Sequence, residues 1–136
     1  MRLQRFPLLL LVLALGWAHP LSGNGPVSGE VKFEPDDQPI AGKTTVTYLT
    51  FVSINGVNLN LSDCYCRMLA YQGQASAQAK PDVQLTFSDT GKRLESKITF
   101  PKPGAYVVVV MGRALPGKNL PPFILTALIV VNPPAN

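Results

Sequence analysis

Short runs of β-branched and aromatic residues, separated by turn-forming residues at intervals of about 8–12 positions, fill this chain from residue 29 onward. Thirteen prolines and eleven glycines supply the turns between the runs. The most helix-like segment, 72–80, contains glycine and has no apolar face. The pattern therefore predicts an all-β fold, an Ig-like antiparallel β-sandwich of about seven to eight strands.

The clearest local signal is a hairpin in the first half of the chain. Asn55-Gly56 separates the β-rich run 44–53 from the alternating run 57–61. Both turn residues tolerate the positive φ angles of a two-residue hairpin loop, so we expect a tight turn there.

Two runs near the C-terminus, 106–111 and 123–131, are the most apolar of the chain. We place them in the centre of the sandwich, because an apolar strand at a sheet edge invites pairing with other chains. The other expected strands are 29–33, 64–71, 83–87 and 94–100.

The N-terminus has the three parts of a secretory signal. Arg2 and Arg5 precede the apolar run 6–16, and small residues lead to a cleavage site after Ala18. The apolar run is shorter than the roughly 20 residues of a membrane-spanning helix, so we expect no membrane span after signal cleavage and a secreted or periplasmic location. This predicts four parts: a signal peptide (1–18), a flexible leader (19–28), an Ig-like domain (29–132) and a tail (133–136).

The charge distribution argues against a nucleic-acid partner. The chain has a net charge of +4, but Arg2 and Arg5 belong to the predicted signal, which leaves ten basic and eight acidic residues. The longest basic run in this remainder is Lys92-Arg93, whereas nucleic-acid binding requires a concentrated basic patch.

The residue inventory predicts a protein that is not an enzyme and has no catalytic residues. Its single histidine, His19, would stand at the start of the mature chain, which removes Ser-His-Asp and Cys-His arrangements within the core. Metalloprotease, phosphate-loop and dinucleotide-binding motifs are absent from the sequence. Asp36-Asp37 lies in a proline-rich turn, and turn chemistry explains the pair better than a calcium site, which needs six to eight oxygen ligands.

Cys64-Tyr65-Cys66 is the most distinctive cluster in the sequence. Cysteines two positions apart on a regular strand point to the same side, about 6.5–7 Å apart, which is too far for a disulfide. Either the strand is bent and the sulfurs are bonded, or the thiols are reduced and are buried or react. Met68 extends the same side, so Cys64, Cys66 and Met68 could also hold a soft ion such as Cu(I).

A family resemblance rests on two stretches. The sequence ITFPKPGAYVVVV at 98–110 resembles the corner between two strands of bacterial Ig-like modules, and PIAGK at 39–43 is similar to secreted YtkA-like and CopC-like domains. The resemblance implies a sandwich in which Tyr106 is the corner tyrosine whose hydroxyl binds nearby backbone. It also suggests that a mature N-terminal His19 could chelate Cu(II) through its amine and imidazole. The histidine- and methionine-rich motifs of the copper-binding members do not occur in this chain.

Two functional hypotheses follow. The first is an exported, non-catalytic Ig-like binding or structural module of the cell envelope or periplasm, which has no cofactor and an envelope or secreted protein as its partner. The alternative is a copper (soft-metal) or thiol-redox protein that uses the Cys64-Tyr65-Cys66 cluster. Accessible, reducible sulfurs are necessary for the second hypothesis but not for the first.

Overall fold

The computed structural model describes residues 19–73 and 78–135. In these residues it contains ten β-strands and one short 3₁₀ helix, Leu61–Asp63. The predicted signal peptide 1–18 lies outside the described residues. The strands are β1 His19–Gly23, β2 Val27–Glu34, β3 Thr45–Ile54, β4 Val57–Asn58, β5 Cys64–Gln72, β6 Val83–Thr86, β7 Ser88–Asp89, β8 Leu94–Ile98, β9 Gly104–Ala114 and β10 Phe123–Val131.

The strand order confirms the predicted Ig-like antiparallel β-sandwich. Strands β2-β3-β8-β7 form one layer and β6-β5-β9-β10 form the other, which is the ABED and C′CFG order of immunoglobulin-like domains. All pairings between named strands are antiparallel. The layers join along one side through β1, which pairs with both β10 and β2, so the sheet is nearly closed.

On the other side of the sandwich, the chain passes from one layer to the other at a single residue. Strand β6 pairs with β5, strand β7 pairs with β8, and only Phe87 separates β6 from β7. The Phe87 amide donates to the carbonyl of Cys66, and its side chain is buried. A strand that bends in this way is a common means of connecting two packed sheets.

The described residues contain ten strands where seven to eight are predicted, and the predicted leader 19–28 is wrong. That segment contains β1 and the start of β2, while the expected turn after residue 87 contains β7. Strand β1 forms because it hydrogen-bonds to two neighbours and buries Leu21, which is 3% exposed. Its neighbour β10 is distant in sequence, and the local glycine- and proline-rich composition gave no strand signal of its own. The expected strand 57–61 shortens to β4 because Leu61 already belongs to the 3₁₀ helix.

The hairpin prediction is confirmed. Asn55 has φ = 53° and Gly56 has φ = 79°, and the turn joins β3 to β4. Positive φ at both central residues is the geometry for which Asn-Gly is favoured.

The core lies between the layers and follows the period-two alternation of strands. On β9, Tyr106, Val108 and Val110 have no exposed surface. Leu125 and Ile129 on the neighbouring β10 are equally buried. Since alternate residues of a strand face opposite sides, residues 107, 109 and 111 on β9 and 124, 126, 128 and 130 on β10 face outward.

Candidate functional site

The structure joins the two cysteines of the Cys64-Tyr65-Cys66 cluster in a disulfide. Their Cα atoms are 5.4 Å apart, which is closer than the spacing of a regular strand. Cys64 is 6% exposed and Cys66 is fully buried, and Met68 lies beside them in the core at 1% exposure. In this state the sulfurs offer no free thiol to a soft metal ion, and their burial limits access to them.

Gly112 on β9 makes room for this disulfide. It is paired with Cys66, and a Cβ added to it would overlap the Phe123 ring and lie 2.8 Å from Cys64 Sγ. A glycine is therefore required where the disulfide, β9 and the Phe123 ring meet.

His19 lies elsewhere, at the start of β1. Its Nε2 is 2.9 Å from the carbonyl oxygen of Asp37 and 3.5 Å from the Asp37 carboxylate, and its ring packs edge-on against Phe33. The structure therefore does not bring His19 together with the sulfur residues, which lie on β5. Within residues 19–73 and 78–135, no group of three His, Cys, Asp or Glu side chains is arranged to hold a metal ion.

Asp37 is a buried carboxylate with a structural role. It adopts φ = 62°, and its Oδ1 accepts a hydrogen bond from the Phe33 amide at 2.8 Å. Its Oδ2 is buried and makes no hydrogen bond within the described part of the chain. Burial raises the pKa of Asp37, and the Phe33 amide and the nearby His19 oppose this shift.

The feature that the sequence analysis missed is an apolar surface on the outside of the β5–β9–β10 sheet. Ile124, Leu128 and Val130 on β10 are 61%, 66% and 59% exposed, and partly buried side chains of β5 and β9 continue the surface. We call this surface the apolar face; it consists of Leu69, Val107, Val109, Met111, Ile124, Leu128 and Val130.

A groove of about 550 Å³ lies at the end of the apolar face where β9 ends and β10 begins. Two cationic side chains line it, and neither has an ion-pair partner among the described residues. Arg67 Nη2 is 3.4 Å from Met111 Sδ, and the Arg113 guanidinium stacks 4.5 Å from the centre of the Tyr65 ring. We call it the arginine groove; its walls include Tyr65, Arg67, Met111, Arg113, Phe123 and Ile124, and none of its ten lining residues is acidic.

The outside of the opposite layer is different, because its arginine is paired with carboxylates. Arg93 binds Glu34 at 2.9 Å and Glu95 at 2.8 Å, and it stacks 3.8 Å from the centre of the Tyr48 ring. The hydrogen bond from Arg93 lowers the pKa of Glu34, and the two carboxylates raise the pKa of Arg93. Thr50 bonds to the side chain and carbonyl of Glu30 on the same surface. This layer thus supplies carboxylate partners for its own arginine.

The sequence does carry a signal for the apolar face. A strand with one wet side alternates polar and apolar residues, whereas a strand covered on both sides is apolar throughout. Residues 106–111 (YVVVVM) and 123–131 (FILTALIVV) are of the second kind. The prediction that these two strands lie centrally is confirmed, because each has a neighbouring strand on both of its edges. Neighbouring strands do not cover the outer side of a sheet, so one side of each strand stays open.

The described residues contain no helix of the length and apolarity needed to cross a membrane. Comparison of the chain with protein-family models, with curated proteins and with solved structures finds no match.

Proposed function

We propose that this protein is an exported, non-catalytic binding module of the cell envelope or periplasm, and that it binds its partner on the apolar face. The observation that carries the proposal is the exposure of Ile124, Leu128 and Val130 on the same side of one strand, on a surface that continues across two more strands. Contiguous apolar surface of this kind on a folded domain marks interaction sites.

The contrast between the two layers supports the choice of this surface. Both outer surfaces belong to the same small domain, yet one carries the Arg93 ion pairs while the other has apolar side chains and unpaired arginines. The apolar side chains on β10 are already in water, so they contribute little to folding through burial. Their presence is explained if a partner covers them.

The alternative copper or thiol-redox function has less support. It requires reduction of the Cys64–Cys66 disulfide and movement of both sulfurs out of the core. Met68 is buried in the core, and His19 packs on Phe33 and Asp37, away from the cysteines.

Site-specific photo-crosslinking tests the proposal. The full chain is produced in its own organism with p-benzoylphenylalanine at position 128, on the apolar face, or at position 97, which is exposed on the opposite layer. We expect a discrete adduct from position 128 and none from position 97. Ile124→Gln in the position-128 protein should greatly reduce the adduct, while the matched Thr50→Gln should not.

Absence of a discrete adduct from position 128, or equal adducts from both positions, would reject the apolar face as the binding site. Retained export and an unchanged unfolding midpoint of each variant establish that a lost adduct reflects a lost contact.

A further inference from the structure

Among the described residues, the two arginines of the arginine groove have none of the carboxylate partners that guanidinium groups prefer. A guanidinium has five N–H donors in a planar fork that matches a carboxylate. Arg67 contacts a thioether, which is a weak acceptor, and Arg113 lies on an aromatic ring. The chain pairs Arg93 with two carboxylates on the opposite layer but places no acidic residue among those that line the groove. Most donors of Arg67 and Arg113 are thus left for water or for another molecule.

The composition of the groove is that of a protein contact. Interface centres are enriched in tyrosine, methionine and arginine and depleted in lysine, aspartate and glutamate. Tyr65, Arg67, Met111 and Arg113 line the groove, and lysine, aspartate and glutamate are missing from its lining. Phe123 and Ile124 supply an apolar wall that a projecting side chain of the partner can contact.

A second copy of the chain is a poor match for this surface. A two-fold symmetric interface uses the same patch on both copies. The patch holds arginines and no carboxylate, so self-association would desolvate positive charges without giving them counter-charges. An extended peptide is also disfavoured, because a sheet face, unlike a sheet edge, offers no backbone groups to satisfy those of the peptide.

We propose that the partner is a different, folded protein whose contact surface is apolar and carries aspartate or glutamate side chains that pair with Arg67 and Arg113. This inference rests on the proposed function and specifies its partner. The apolar side chains of the partner cover β9 and β10, while its carboxylates form charge-assisted, two-point hydrogen bonds at the arginine groove. The apolar contact supplies affinity, and the arginines select partners that carry carboxylates at this end.

The experiment begins with the adduct formed from position 128. Mass spectrometry of the cross-linked peptide identifies the partner and its contact segment, and the purified partner is then titrated with the full exported protein. We expect aspartate or glutamate among apolar residues in the mapped region. The double variant Arg67→Glu/Arg113→Glu should weaken binding by about tenfold or more. The control Lys43→Glu/Lys97→Glu changes the net charge equally on exposed residues outside the groove, and its affinity should stay within about twofold.

A charge swap makes the test specific. Replacing the mapped carboxylates of the partner by lysine should restore binding to the Arg67→Glu/Arg113→Glu protein. If that protein does not fold, Arg67→Gln/Arg113→Gln removes the same charges without adding acids near the core. A lipid adduct, an adduct with a second copy, a contact segment without carboxylates, or affinity that ignores both arginine variants would each overturn the inference. In those cases the apolar face still binds a partner, whereas loss of every position-128 adduct removes the proposed function as well.

Discussion

The hydroxyl of Tyr106 donates to the carbonyl oxygen of Lys102 at 2.7 Å and accepts from the Lys102 amide at 3.2 Å. The tyrosine is fully buried at the start of β9, and the two bonds close the turn that leads from β8 into this strand. This is the corner arrangement that the resemblance to bacterial Ig-like modules implies, and it holds the strand that forms the middle of the apolar face.

Tyr106→Phe should therefore lower the free energy of unfolding by about 1 kcal/mol, since it removes both hydrogen bonds and keeps the ring. Urea denaturation of the purified protein measures the change. Tyr48→Phe is the control, because the Tyr48 ring stacks under Arg93 through its face and should lose less than about 0.5 kcal/mol. Equal effects of the two substitutions would show that the corner bonds add nothing.

Gly112→Ala should destabilise the domain by about 2 kcal/mol, because its methyl group would overlap the Phe123 ring and crowd Cys64 Sγ. Replacing the ring should relieve part of this clash. In a double-mutant cycle, Gly112→Ala should cost less in a Phe123→Leu background than in the native chain. Additive effects would contradict the close approach of Gly112 to the Phe123 ring.

The disulfide predicts a specific labelling result. Under native, non-reducing conditions neither Cys64 nor Cys66 should react with an alkylating agent, and reduction after unfolding should expose both, as seen by intact mass. The closed loop is very short, so Cys64→Ala/Cys66→Ala should cost only roughly 2 kcal/mol of stability. Two thiols that are alkylated in the native protein would contradict the disulfide and strengthen the Cu(I) hypothesis.

Asp37 should make stability depend on pH. Burial raises its pKa above the ordinary 3.8, so the fold favours the protonated form. The contribution of Asp37 to stability is then full below the ordinary carboxyl pKa and is lost as the pH rises through the raised pKa. Asp37→Asn removes the charge and can still accept from the Phe33 amide.

We therefore expect Asp37→Asn to gain stability relative to the native protein as the pH increases from about 4 to 7, as measured by urea unfolding at several pH values. Desolvation is the largest cause of the shift, so the trend should persist in a His19→Gln background. A native protein that becomes more stable than Asp37→Asn with rising pH would show that His19, Lys32 or the Phe33 amide outweighs burial.

Local chemistry explains which parts of the fold could be predicted. The Asn55-Gly56 turn and the Tyr106 corner both depend on neighbouring residues; the turn follows from the Asn-Gly pair, and the corner is implied by the resemblance to Ig-like modules. Strand β1 depends on β2 and β10, and its only strong apolar residue is Leu21, so local composition suggested a loose leader. Only the pairing with β10 is long-range, and neither it nor the hairpin with β2 leaves much trace in a short glycine-rich segment.

The candidate site was missed for a related reason. The sequence of β10 shows that both sides of the strand are apolar, but it does not show which side meets the core and whether anything covers the other. The cysteines were the most distinctive chemical feature of the sequence. Their geometry was predicted only as two alternatives, a bent strand with bonded sulfurs or a strand with free thiols. The Cα distance of 5.4 Å corresponds to the bent alternative.

Two isoleucines of β10 offer the most direct check on the apolar face. Ile124 is 61% exposed and Ile129 is fully buried, although both belong to the same strand. Threonine keeps the β-branched shape that suits a strand, so substitution by threonine changes mainly the burial term. Ile129→Thr should cost about 2–4 kcal/mol, because it places a hydroxyl in the core and removes packed carbon, whereas Ile124→Thr should stay within about 0.5 kcal/mol.

Urea denaturation of both variants measures the difference in their free energies of unfolding. The affinity of Ile124→Thr for the partner identified by cross-linking is measured as well. Ile124→Thr should weaken partner binding while leaving the fold intact. That result would mean that the Ile124 side chain contributes to binding and not to folding. If Ile124→Thr destabilises the isolated domain as much as Ile129→Thr does, the outer side of β10 is part of the folding core. The apolar face would then no longer be supported as a binding surface.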